Sequence, residues 1–341
     1  MTTSYALVAE AEASLLLDRE AFRGLVIEGC APVIMRGAVL NWPVFHAGQF
    51  SPYALRAYLA RFANATRAEG FVGSPAIRGR YAYGEELEGF NFDRFDTDVL
   101  GGFDRILASA AQPGSPSVYL GSIEADIFLP GFARDNEMPA VPPWVSPRIW
   151  LGNASNVSCH NDTFDNIACV IAGRRRFTLY PPEAVADLYV GPVDYTMAGR
   201  PVSLAAGAMA SDPRYPRFEA IRDTALVADL GPGDALYLPK LWWHQVEAFD
   251  PVNMLVNYWW DAFSAGPDAP NTAMLLSMIT IAERPPRERE AWRAFFDHYV
   301  FRPDGHPLAH LPPEKHGILG PLGSGNYGRI RAMIMQLLRS G

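Results

Sequence analysis

Apolar and polar positions alternate over short stretches through the middle of the chain and recur at helical spacing toward both ends. From about residue 117 to 262, the segments SVYLGS, RIWLG, IACVIAG, RFTLYPP, ALYLP and VNMLVNYWW are separated by turn clusters such as Ala172-Gly173 and Gly231-Pro232-Gly233-Asp234. Short apolar runs at that spacing predict an antiparallel sandwich or barrel. Residues 10–110 read as mixed helix and short strand: helical spacing over 11–27 and 52–62, and PVIMRGAV (32–39) as a strand ending at a turn. After 272 the period becomes helical in NTAMLLSMITIAE, in REREAWRAFFDHYVF and, past a Pro/Gly-rich link, in GRIRAMIMQLLRS. The last places Ile330, Ile334, Leu337 and Leu338 on one face. Such helices cannot bury themselves alone, so they either cap the sheet or form a dimer interface.

Composition narrows the class. The chain has 341 residues, 49% apolar and 19% charged, the balance of a globular protein long enough for one or two domains. A net charge of −8 argues against broad electrostatic binding of nucleic acid, while leaving room for a local basic cleft. Cys30, Cys159 and Cys169 are scattered without a Cys-x-x-Cys pair, which fits a reducing compartment and provides neither a disulfide framework nor a cysteine zinc site. The N-terminal stretch carries acids and lacks a signal-peptide pattern. No apolar run approaches the roughly 18 residues of a membrane span. The expectation is a soluble cytoplasmic protein.

The candidate chemistry centres on CHNDTFDNIACVIAGRRRF, residues 159–177. If His160 and Asp162 lie on a strand they share a face. Together they are two thirds of the two-histidine, one-carboxylate triad that holds ferrous iron with open positions. Among the other histidines, His244 alone sits in a β context, GDALYLPKLWWHQVEAF, with Trp242 and Trp243 as a possible dry wall; alone, it is equally readable as a core or surface histidine bound to a carbonyl. If IACVI and RFTLY are the two strands of one hairpin joined at Ala172-Gly173, alternation turns Arg175 to one face and Arg174 and Arg176 to the other. A buried guanidinium needs an anion, and its fork suits a carboxylate. Arg174 and Arg176 read as solvated. Asn166 and Asn257 are amides in apolar surroundings, either structural ties or donors to a ligand near the metal.

These residues resemble the JmjC/cupin-type (cupin_8) Fe(II)- and 2-oxoglutarate-dependent oxygenases, among them the asparaginyl hydroxylases. The likeness runs from APVIMRGAVLNWP (31–43) through SVYLG (117–121), HNDTFDNIACVIAGRRRFTLYPP (160–182) and DPRYPRF (212–218) to GPGDALYLPKLWWHQVE (231–247) and VNYWW (256–260). It implies a mainly β fold with flanking helices and a double-stranded β-helix (jelly-roll, cupin) core over 111–265; the residue pattern adds an N-terminal α/β extension over 1–110 and a C-terminal helical region over 266–341, the expected site of dimerisation.

By the same resemblance His160, Asp162 and His244 hold Fe(II) and form the catalytic centre. Arg175 stands where the family usually has a lysine that pairs with the distal carboxylate of 2-oxoglutarate, and Tyr119 supports the same carboxylate. Ser158 matches a threonine there, or Val157 does, since the chain is one residue shorter just before His160. Asn166 and Asn257 match amides near the metal-bound end of the co-substrate, with Trp259 beside them. Arg200 matches a substrate-holding arginine, but Pro201 replaces the glutamine that follows it. The implied reaction uses O2 and 2-oxoglutarate to hydroxylate a C–H bond, with a protein or peptide as the first-choice substrate. A small molecule, a tRNA, a non-catalytic cupin-fold binding protein, and a cupin holding another divalent metal for hydrolysis or isomerisation are the alternatives. No nucleic acid or membrane partner is expected, and a homodimer is.

Overall fold

The structure is a computed structural model that describes residues 6–197, 199–207 and 209–339. The alternating middle of the chain becomes two sheets, with strands numbered in chain order. One contains β1 (Ala6–Leu7), β5 (Arg80–Tyr81), β9 (Ser155–His160), β11 (Arg175–Tyr180), β12 (Leu226–Leu230) and β14 (Trp243–Ala248), in the order β1-β12-β11-β14-β9-β5. The other contains β2 (Ala9–Ala11), β3 (Val33–Met35), β4 (Ala68–Gly73), β6 (Phe92–Thr97), β7 (Ser117–Glu124), β8 (Arg148–Gly152), β10 (Asp165–Ala172), β13 (Ala235–Leu238) and β15 (Asn253–Trp260). Its order is β2-β3-β13-β10-β15-β8-β7-β4-β6. From β8 to β15 the chain changes sheet at every connection except β11 to β12. That back-and-forth winding, with antiparallel neighbours, is a jelly-roll sandwich with flanking helices.

Burial on both faces explains the continuous apolar run of β10, where all eight positions are buried. Ile167, Cys169 and Ile171 point outward into a core shared with Leu55, Leu59, Phe103 and Ile106 of the covering helices Pro52–Ala60 and Val99–Ala110. Ala168 and Val170 point inward to Phe177, Leu179, Leu236 and Leu255, between the sheets. Truncating Ile167 to Ala at a fully buried site costs about 2–5 kcal/mol.

Three local expectations need correction. Residues 11–27 do not form one helix: a 3-10 turn (Ala13–Leu17), a short α-helix (Arg19–Phe22) capped by the Asp18 carboxylate, and a π-turn (Arg23–Ile27) follow one another. The expected strand over 32–39 is only Val33–Met35, after which Arg36 and Gly37 are drawn to the Asp234 carboxylate. The third concerns β10 and β11, which are not a hairpin but lie in opposite sheets. Gly173 makes that crossing with φ +75°, and a side chain there would overlap Asn253 Oδ1.

The chain divides into two compact units, the first ending at Ala262 and the second starting at Phe263. In the second, helices Pro270–Ile281, Pro286–Phe296 and Asn326–Arg339 carry the expected helical stretches. Arg331 Nε donates to Asp268 Oδ2 at 3.0 Å, tying the last helix to the segment before the first. Much apolar surface stays outside: Ile279 is 82% exposed and Leu337 70%, alongside Met278, Ile334 and Leu338. Among the described residues no helix is long and apolar enough to cross a membrane.

Candidate metal centre and its cavity

Side chains that alternate inward from both sheets line one cavity of about 580 Å³, within the range of about 300–1,000 Å³ common for small-molecule sites. The six-stranded sheet contributes His160, Arg175, Phe177, His244 and Val246; the nine-stranded sheet contributes Tyr119, Trp150, Asn166, Ala168, Leu255, Asn257 and Trp259.

The metal-ligating atoms come first. His160 ends β9 and His244 is the second residue of β14, and the two are direct cross-strand partners with ring centroids 4.3 Å apart. Asp162 is not on the strand as expected. It lies in the turn after β9, where Leu241 N–H donates to its carbonyl at 2.7 Å. Its Oδ2 is 3.7 Å from His244 Nε2, and one ligand atom from each of the three residues lies within 4.8 Å of the other two.

Tautomers follow from the hydrogen bonds. His160 Nδ1 is 2.8 Å from Ser158 O, and His244 Nδ1 is 3.0 Å from Trp242 O. A carbonyl only accepts, so each Nδ1 carries the proton and each Nε2 presents a lone pair. Burial, and then the neighbouring His160, push the His244 pKa down to about 4 against the opposing pull of Asp162 and the Trp242 carbonyl. His244 is therefore neutral at pH 7. Two imidazole Nε2 atoms and one carboxylate suit a divalent transition metal with open positions.

Arg175 is 4% exposed, and its Nε has no hydrogen-bond partner. Among the described residues no carboxylate lies within 4.0 Å of it. Its neighbours differ: Arg174 pairs with Asp250 and Arg176 with Asp229 on the outside. Burial lowers the Arg175 pKa, and Tyr119 partly opposes this. Tyr119 itself is pushed upward by burial, with Arg175 opposing, so it stays a phenol. Two glycines seat its ring. A Cβ at Gly152 would meet Tyr119 Cδ2 at 2.7 Å, and one at Gly121 would meet Cε1 at 3.1 Å. A buried cation with no carboxylate in ion-pair reach, beside a phenol, is able to receive a carboxylate.

The amides are linked in series. Trp150 Nε1 donates to Asn257 Oδ1 at 2.7 Å, and Asn257 Nδ2 donates to Asn166 Oδ1 at 3.0 Å. That chain orients Asn166 Nδ2, which lines the cavity. Trp259 Nε1 is buried without a partner. Arg200 reaches the rim and donates to Thr163 Oγ1, in the turn that carries Asp162.

Ser158 and Val157 both line the cavity, but differently. Val246 pairs with Val157 while His244 pairs with His160, so β9 carries a bulge at Ser158-Cys159. Val157 thereby shares the His160 face. Ser158 Oγ donates to Tyr81 O at 2.9 Å. The expected tryptophan wall is elsewhere too: Trp243 packs with Cys159 and Tyr180 outside the six-stranded sheet, and Trp242 Nε1 donates to Cys30 O. Trp150 and Trp259 form the wall instead. Trp150, Lys240 and Asp165 also bear on the site, though no motif in the sequence singles them out. The one available signal was a lysine and an aspartate set among apolar residues next to the ligand motifs.

Comparison with known proteins agrees with the jelly-roll fold. Residues 19–266 match the cupin-like domain family. HSPB1-associated protein 1 of Bos taurus is 25% identical over 273 residues, covering 76% of this chain and 55% of that protein. The human bifunctional peptidase and (3S)-lysyl hydroxylase JMJD7 is 26% identical over 262 residues, 67% of this chain and 77% of that protein. The lysine-specific demethylase JMJ31 of Arabidopsis thaliana is 31% identical over 147 residues, 42% of this chain and 25% of that protein. The chain spans about half the length of the HSPB1-associated proteins it matches along most of its own length.

Proposed function

The chain belongs to the cupin-like domain family, and from that premise we propose that it is an Fe(II)- and 2-oxoglutarate-dependent oxygenase that hydroxylates a C–H bond of a protein or peptide side chain. When bound, ferrous iron with 2-oxoglutarate and O2 supplies a C–H oxidation coupled to decarboxylation of the co-substrate. In this reading His160, Asp162 and His244 hold the iron. Arg175, with Tyr119, takes the distal carboxylate of 2-oxoglutarate. Asn166, steadied through Asn257 and Trp150, and Trp259 with its unpartnered indole N–H, face the metal-bound end. Phe177, Val246 and Leu255 keep water away from the reacting atoms. Arg200 is the rim residue proposed to touch substrate.

The observation that carries the reading is Arg175. A buried cation without an internal partner, in the same cavity as the triad, has no role in a cupin that merely hydrolyses or isomerises. The hydroxylase and demethylase named among the relatives support a protein or peptide substrate. The exposed apolar faces of the C-terminal helices support a homodimer built there, and the cytoplasm remains the proposed compartment.

The test is anaerobic addition of Fe(II) and 2-oxoglutarate, which should produce a weak visible charge-transfer band. Wild-type protein that binds 2-oxoglutarate no more tightly than Arg175→Ala overturns the proposal. Incubation with candidate peptides, read as a 16 Da gain by mass spectrometry, identifies the substrate.

A further inference from the structure

One of the three metal-ligating side chains, Asp162, comes from a turn, residues 161–164 after β9, while His244 follows directly on the turn 239–242 as the second residue of β14. The β9–β14 ladder ends at the His160–His244 pair, so it does not hold Asp162. Two contacts join the turns. Leu241 N–H donates to Asp162 O at 2.7 Å. The residue before it, Lys240, places Nζ 3.2 Å from Asp165 Oδ2 and 2.6 Å from Asp261 Oδ1.

Asp165 is 2% exposed and stands where the Asp162 turn enters β10. Its Oδ1 accepts from Tyr237 OH at 3.0 Å, and its Oδ2 accepts from Ala262 N–H at 3.1 Å. Those two donors are neutral. Lys240 brings the cation that a buried carboxylate requires. Burial lowers the Lys240 pKa, but its bonds to Asp261 and Asp165 more than compensate, so it stays charged.

We infer that Lys240 is a positioning residue for the metal centre: by pinning the 239–242 turn that leads into β14 to Asp165, it fixes the Leu241–Asp162 hydrogen bond and thereby the Asp162 carboxylate. The inference rests on the metal-centre reading above. A ligand set tolerates only small displacements, and groups that orient ligands typically carry about 10–100-fold of metal affinity. An ion pair that served only the fold would lower stability and leave metal affinity alone.

Anaerobic Co(II) titration, followed by its visible absorption, separates the two. Lys240→Met should weaken Co(II) binding by at least about tenfold, and Lys240→Arg, which keeps the charge, should stay within about threefold of wild type. A folded Lys240→Met that binds Co(II) like wild type overturns the inference, as does Lys240→Arg that is as weak as Lys240→Met. Should Lys240→Met fail to fold, Asp261→Asn decides. It leaves the Asp165 pair in place and should weaken Co(II) by about threefold at an unchanged melting temperature, and no weakening overturns the inference. Wild type that binds no Co(II) sinks the metal-centre reading and this inference with it. Wild type that binds Co(II) beside an unaffected Lys240→Met sinks only the inference.

Discussion

His160 and His244 meet as register partners on neighbouring antiparallel strands, and each donates its Nδ1 proton to the carbonyl two residues earlier in its own chain. The same local device, used twice, turns both Nε2 atoms toward one point beside Asp162. Replacing either ring should therefore abolish the site. In His160→Ala the charge-transfer band should be absent, and Co(II) should no longer raise the melting temperature, while the unliganded fold persists because His160 is only half-buried. A retained band in that variant removes His160 from the metal.

Arg175 separates binding from stability. Its cation is buried with no carboxylate beside it, so Arg175→Met should leave the ligand-free protein as stable as wild type or more stable, by about 1–4 kcal/mol. The same variant should need at least about tenfold more 2-oxoglutarate. Calorimetry with and without 2-oxoglutarate reads both. A strongly destabilised ligand-free variant means that the guanidinium has a structural partner.

The bulge in β9 makes opposite predictions for adjacent residues. Ser158→Ala should cost about 1 kcal/mol of stability through the lost bond to Tyr81 O, with the 2-oxoglutarate requirement little changed. Val157→Thr puts a hydroxyl on the His160 face at nearly constant volume. It should lower the 2-oxoglutarate requirement by up to about fivefold, the worth of one hydrogen bond. The reverse ranking in a binding titration means that Ser158 turns its hydroxyl to the co-substrate.

Leu337 and Leu338 lie exposed on helix Asn326–Arg339. Light scattering should find a dimer for the wild type and a monomer for Leu337→Glu/Leu338→Glu. A monomeric wild type at micromolar concentration rules out the interface.

Gly173→Ala places a side chain at φ +75° against Asn253 Oδ1. Strain of that kind costs about 1–3 kcal/mol, readable as a lowered urea midpoint. An unchanged midpoint would mean that the turn can relax without loss.

Which parts of this were readable from residues alone depends on the range of the forces involved. Alternation is local, so the inward turn of Arg175 and the outward turns of Arg174 and Arg176 follow from the strand period. His244 stood out because its neighbours were strand-like while most other histidines were not. A glycine turn looks the same whether the chain doubles back in one sheet or crosses to the other, so the β10–β11 crossing at Gly173 was invisible. The bulge in β9 was equally hidden, since its evidence is the register of β14. Lys240 and Asp165 lie 75 residues apart in numbering and meet only in the folded chain; no local pattern announces such a pair.

Arg175 belongs to one sheet, and Tyr119 and Asn166 belong to the other, so any molecule held by all three acts as a rivet through the sandwich. Its binding energy adds to the free energy of unfolding, by about 2.7 kcal/mol at a hundredfold excess over its dissociation constant. Rare global openings become rarer by the same factor, and proteases act on those openings. How long each copy survives would then follow the supply of the small diacid proposed as its co-substrate, making abundance itself a slow reading of metabolic state.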